Sequence, residues 1–199
     1  KRSPYPPFTT STLQQTASNL FGWSAKRTMQ VAQNLYEQGL ITYHRTDSTN
    51  LAQEALVKVR EMIRTEYGPA YLPTQSKLYK TKSKVAQEAH EAIRPTNILQ
   101  LEESSQGQDR DQHRLYELIW KRFVACQMTE AVFEQTSVDI QAISEMNSGN
   151  SYFLRANGSR QLFDGWQHII QKSTRRLAGQ LADKSQNESD LEDGESEQN

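Results

Sequence analysis

The chain of 199 residues reads as an α+β protein: a mainly helical, winged-helix-type module, then a β-rich portion, then an acidic tail. Three observations carry this reading. Up to about residue 129 apolar residues recur at helical spacing, in the order helix, helix, Gly turn, short strand, helix expected of a helix-turn-helix or winged-helix type of module. Beyond Glu130 they alternate, as along half-buried strands. From Gly179 onward they almost vanish. The expected division is therefore 1–129, 130–178 and 179–199.

Pro4 to Pro7 form an extended lead-in. Ser11-x-x-Gln14 has the form of a capping box and opens a first helix through about Phe21, with Leu13, Ala17 and Leu20 on one face. Gly22 ends it, and Ser24 caps a second helix carrying Thr28, Val31, Ala32, Leu35 and Tyr36 at near-helical spacing. Gly39 supplies a left-handed stop. Leu40 to Tyr43 is a short apolar run with the composition of a strand. Ser48 or Thr49 is the expected cap of a third helix, whose stripe is Ala52, Leu56, Val59 and Ile63. Gly68-Pro69 and Pro73 close that segment.

Lys77, Lys80, Lys82 and Lys84 mark an exposed loop, and Pro95 halts the short segment Gln87 to Thr96. A polar loop over 107–111 precedes a helix over 112–128. Val132, Val138 to Ile143 and Tyr152 to Arg155 then alternate as a hairpin around the turn-rich Asn147-Ser148-Gly149-Asn150. The tail after Gly179, rich in Asp, Glu, Ser, Gln and Asn, has too little apolar surface to offset its ordering entropy and is expected to be disordered.

A mean hydropathy of -0.81 and the lack of any apolar run near the roughly 20 residues of a membrane span describe a polar, soluble chain with no membrane partner. Cys126 is the only cysteine, so an internal disulfide and a cysteine-rich zinc site are both excluded, and a cytoplasmic location is expected. The net charge of -1 conceals an asymmetry. Residues 1–96 carry 13 Lys and Arg against 7 Asp and Glu, while residues 183–199 carry 1 against 7. The basic portion favours a polyanionic partner.

Chemistry concentrates at Tyr43-His44-Arg45-Thr46-Asp47-Ser48. A phenol beside a fixed cation can attack phosphorus while the cation stabilises the added charge. In an extended segment Tyr43 and Arg45 share a face, and a guanidinium suits bidentate phosphate contact. Taken alone, the pair reads as a half-buried strand tyrosine with Arg45 paired to Asp47. His90 can donate to a phosphate oxygen or move a proton near neutrality, although a surface histidine is the ordinary alternative. Glu88, His90 and Glu91 lack metal-site spacing, and Asp109-x-Asp111 lies in a polar loop. His44, His113 and His168 have no partner by spacing. Trp23, Trp120 and Trp166 sit in apolar contexts and read as core.

Several strings occur in order: Pro7-Phe8-Thr9-Thr10-Ser11-Thr12-Leu13-Gln14-Gln15, then Leu35-Tyr36-Glu37-x-Gly39-Leu40-Ile41-Thr42-Tyr43-x-Arg45-Thr46-Asp47-Ser48, then Ala89-His90-Glu91-Ala92-Ile93-Arg94-Pro95. With Leu118-Ile119-Trp120 and Phe163-Asp164-Gly165-Trp166 they closely resemble bacterial type IA DNA topoisomerase I over about residues 4–170. The resemblance implies that Tyr43 is a nucleophile forming a 5′-phosphotyrosine link, that Arg45 contacts the scissile phosphate, and that His90 donates a hydrogen bond there. Glu37, Asp47 and Arg94 match positions that bind DNA or support the site. The implied fold is a catabolite-activator-like helical domain followed by part of a β-rich arch.

The same resemblance implies relaxation of negatively supercoiled DNA without ATP, a single-stranded DNA partner, a monomer, and a nucleoid-associated location. The implied Mg2+ would be bound by a toprim domain absent from this chain, so an internal fragment, inactive alone, is expected. Two rivals use the same residues differently. A noncatalytic winged-helix module would bind DNA without an adduct. A tyrosine recombinase would place its tyrosine after an Arg…His-x-x-Arg set, whereas Tyr43 precedes His90.

Overall fold

The computed structural model describes residues 1–79, 90–98, 109–143 and 151–170. It is a mixed α+β arrangement of helices α1 (Thr10–Phe21), α2 (Ala25–Glu37), α3 (Gln53–Glu66) and α4 (Arg110–Cys126), a short 3-10 turn Pro69–Tyr71, and strands β1 (Val132–Ile143) and β2 (Ser151–Phe163).

The first helix starts one residue before Ser11, and its cap differs from the expected one. Thr9 and Thr12 form the reciprocal box: Thr12 N–H donates to Thr9 Oγ1 (3.3 Å) and Thr9 N–H donates to Thr12 Oγ1 (2.9 Å). The Thr-Thr-Ser-Thr run offers several such registers, and burial of Phe8 just before it selects this one. Gly22 ends α1 at φ 68°, and Ser24 caps α2 by accepting from Arg27 N–H. Gly39, at φ 73°, turns the chain after α2.

Two local expectations are overturned. Leu40 to Tyr43 forms no strand; only an isolated antiparallel bridge joins Ile41 to Pro95. Nor do Ser48 or Thr49 cap α3, whose N-cap is Ala52 with no side-chain bond of its own. The exposed Ala52 N–H instead donates to Glu91 Oε1 (2.7 Å), so a carboxylate from a distant segment meets the positive end of the helix. Ser48 is buried and its hydroxyl accepts from Asn50 N–H.

The core lies where α1, α2, α3 and α4 meet. Leu13 and Ala17, Val31 and Leu35, Val59 and Ile63, and Leu115, Ile119 and Phe123 form one buried cluster with Phe8, Ile41 and Ile93. Each fully buried Leu, Ile, Val or Phe contributes about 1.5–3 kcal/mol. Trp23, Trp120 and Trp166 join this cluster, and Cys126 is a buried thiol whose pKa burial pushes up to about 12.

β1 and β2 pair antiparallel from Val132 opposite Phe163 to Ile143 opposite Ser151, a long exposed ribbon. The expected turn over 147–150, the loop lysines Lys80 to Lys84 and the acidic tail lie outside the described residues. The ribbon's base is fixed to the helical part. Trp166 N–H donates to Thr129 O and its indole to Arg2 O (both 2.9 Å). His168, expected to be without a partner, bonds Asp164 through Nδ1 (2.7 Å), and Tyr71 Oη donates to the other Asp164 oxygen (2.9 Å). Spacing could have shown the Asp164–His168 half of that cluster, since the two stand four apart.

Candidate active site

The segment Ile41 to Ser48 leaves α2 as a bent, irregular stretch with bends at Thr42, His44 and Arg45, held on both sides by residues far away in sequence. On one side Thr42 N–H donates to Arg94 O (2.9 Å), Thr96 N–H donates to Leu40 O (3.0 Å), and the Thr42 hydroxyl donates to Ala92 O (2.7 Å). Arg94 N–H returns a bond to Thr42 Oγ1 (2.9 Å). On the other side α1 supplies Thr10. Its N–H donates to Thr46 O (2.9 Å), its hydroxyl donates to His44 O (2.8 Å), and that hydroxyl accepts from Thr46 N–H (2.9 Å). Three bonds from one threonine therefore immobilise the backbone flanking Arg45.

With the backbone held, side chains alternate. His44, Thr46 and Ser48 are buried; Tyr43, Arg45 and Asp47 are exposed. Tyr43 is 49% exposed, and Arg45, two positions on, is exposed as well. None of the described ion pairs joins Arg45 to Asp47.

The 90–96 segment carries His90, Glu91 and Arg94, and its Ala92 and Arg94 bond Thr42. Ile93 N–H donates to Phe8 O and Ala92 N–H to Asn50 O (both 2.8 Å), so the segment is laced between the lead-in, the 41–48 stretch and the approach to α3. His90 is exposed at its start. Arg94 points its guanidinium inward: Nε and Nη2 donate to the two oxygens of Glu91 (2.6 and 2.9 Å), and Nη1 donates to Pro95 O (2.8 Å). Because Glu91 also caps α3, the Arg94–Glu91 pair ties the site segment to a helix. Glu37, exposed at the end of α2, accepts from Gln33 Nε2 (2.8 Å).

His44 was not singled out by spacing, yet it lies under the site. Its ring is 3% exposed, and neither ring nitrogen has a hydrogen-bond partner. Burial, and next the charge of Arg45, hold its pKa below the usual histidine value against the opposing carboxylate of Glu37. The imidazole is therefore neutral near pH 7. Its ring packs against Tyr43 (centroids 5.3 Å apart) and Tyr36 (5.6 Å), and Tyr36 packs against Tyr43 (5.3 Å).

A family model described as DNA topoisomerase matches residues 1–198. DNA topoisomerase 1 of Pasteurella multocida is 48% identical over 175 residues, 88% of this chain and 19% of that protein. The chain belongs to the bacterial type IA DNA topoisomerase I family. DNA topoisomerase 1 of Vibrio cholerae is 49% identical over 83% of the chain and 18% of its own length, and that of Rickettsia felis is 46% identical over 87% and 23%. Full-length topoisomerase I from Thermotoga maritima shares the fold, with a TM-score of 0.69 and 36% identity over 85% of this chain and 27% of that one. The chain thus spans about a fifth of the length of these topoisomerases. Among the described residues no group of three or more His, Cys, Asp or Glu side chains is placed to hold a metal ion. The donor set for the magnesium that family membership implies is not found in them.

Proposed function

We propose that this chain is the tyrosine-bearing part of an enzyme that relaxes negatively supercoiled DNA, and that Tyr43 is its nucleophile. The Tyr43 phenol oxygen bonds to phosphorus, the P–O3′ bond breaks, and the 3′ oxygen leaves carrying the proton that the phenol gives up. The product is a 5′-phosphotyrosine. After the other strand passes, the 3′-hydroxyl attacks the same phosphorus and expels Tyr43, so no ATP is needed. Arg45 neutralises the extra charge on the phosphate in both directions, and His90 donates to the same phosphate. Glu37, Asp47 and Arg94 bind DNA or support the site; for Arg94, the bonds to Glu91 and Pro95 favour support.

The observation that supports this reading is the exposure of both Tyr43 and Arg45 on a segment whose backbone is clamped from both sides. Preorganisation of that kind is what electrostatic catalysis requires. In this reading residues 1–129 are the catabolite-activator-like domain, and 130–178 belong to a β-rich arch. Single-stranded DNA is the substrate and the enzyme works as a monomer in the cytoplasm; magnesium, held by residues outside those described, would supply charge neutralisation.

Trapping with detergent tests the nucleophile. The complete enzyme, mixed with an end-labelled single-stranded oligonucleotide, is expected to give a denaturation-resistant adduct that Tyr43→Phe abolishes. An adduct of normal yield in Tyr43→Phe would place the nucleophile elsewhere. DNA binding with no adduct in either protein would favour a noncatalytic binding module.

A further inference from the structure

We propose that Tyr36 is a positioning residue for cleavage: its ring, with His44 as a floor, brackets Tyr43 and sets the direction in which the phenol meets phosphorus. This rests on the reading of Tyr43 as the nucleophile. The three rings touch pairwise, with centroids 5.3 to 5.6 Å apart and interplanar angles of 49° to 66°. Such tilted and edge-on contacts are the favoured geometry of aromatic pairs. They matter here because Tyr43 is half exposed. A solvent-facing tyrosine samples several rotamers, and only some of them place its oxygen in line with a scissile bond.

The parts of the bracket are unequal. His44 is immobile, buried beneath the site with its backbone carbonyl held by Thr10. Its nitrogens have no partner, so its contribution is the shape and faces of its ring rather than proton transfer. Tyr36 stands on the last turn of α2, next to Glu37, and is 42% exposed. Packing of the core does not require it there. Its ring contacts are with Tyr43 and His44, and Tyr43 itself remains 49% exposed.

Single-turnover cleavage of an oligonucleotide by the complete enzyme, together with its Kd from fluorescence anisotropy, tests the proposal. Tyr36→Leu is expected to slow adduct formation at saturating DNA by about tenfold, as expected for a misplaced reacting group. Kd should stay within about twofold, and Tyr36→Phe should restore the rate because the ring is what acts. Tyr36→Gln is the second variant, suited to an exposed helical position if Leu perturbs folding. A normal rate in Leu and Gln variants that fold would overturn the bracket. So would a raised Kd with normal saturated rate, which would make Tyr36 a DNA contact, or a failure of Phe to restore cleavage. Tyr43→Phe serves as the control: an adduct there defeats the nucleophile reading, whereas its loss beside a normal Tyr36→Leu rate defeats the bracket alone.

Discussion

Thr10→Val exchanges one hydroxyl for a methyl, yet it dissects the clamp on the site. The hydroxyl donates to His44 O and accepts from Thr46 N–H, and Thr46 is buried. The valine keeps the shape and the Thr10 N–H bond to Thr46 O, so the α1 contact survives. What is lost is one neutral hydrogen bond, about 1 kcal/mol, and a partner for a buried N–H, about 1–3 kcal/mol. The expected destabilisation is about 2–4 kcal/mol, which for a chain of this size lowers Tm by about 5–15 °C. Tryptophan fluorescence reports the melt, since Trp23, Trp120 and Trp166 are all buried. In the complete enzyme the loosened backbone around Arg45 should slow cleavage by about 10- to 100-fold. Thr10→Ser keeps both bonds and should behave nearly as wild type. A Thr10→Val protein melting within about 1 °C of wild type, with normal cleavage, would show that the clamp does not hold the segment.

Two further outcomes follow from other parts of the molecule. Because burial and Arg45 depress the His44 pKa, the folded state resists a proton that the unfolded chain accepts below about pH 6.5. The His44 contribution to stability is therefore complete above that pH and lost as pH falls toward the depressed value. Urea unfolding at pH 7.5 and 5.5 should show a smaller loss for His44→Phe than for wild type, and equal losses would refute the assignment. Gly165 has φ 50°, and a Cβ there would lie 2.5 Å from Glu130 O, so Gly165→Ala must displace backbone at the ribbon's base. Left-handed strain and overpacking together should cost about 2–5 kcal/mol. Limited proteolysis should then cut the ribbon's base faster, and unchanged proteolysis would argue that the junction yields cheaply.

Much of the helical architecture was legible because its signals are local. Helical spacing marked Leu13 with Ala17, Val31 with Leu35, and Leu56, Val59 and Ile63, all of which are buried on their helices. The stops at Gly22 and Gly39 need only a positive φ, which glycine tolerates. Alternation at Val132 and over Ser137 to Ile143 marked one strand of the ribbon, although Val138 and Ile140 prove exposed rather than half-buried on one face. Where several local solutions compete, the reading slipped: the α1 cap moved to Thr9, and Leu40 to Tyr43, though apolar enough for a strand, gains only one bridge.

The sequence by itself determined the family, the helical face patterns and the spacing of Tyr43 and Arg45, two positions apart. Ordered motifs and a two-residue period need no knowledge of distant contacts. Tertiary structure alone decided what holds that segment. Thr10 reaches Thr46 across 36 positions, Thr42 reaches Arg94 across 52, and Glu91 reaches the N-cap Ala52 of α3 across 39. No spacing rule links residues so far apart. It also decided that His44, unremarkable as a sequence position, lies buried and neutral beneath Tyr43, because only packing of α1 and α2 against that segment excludes water from its ring.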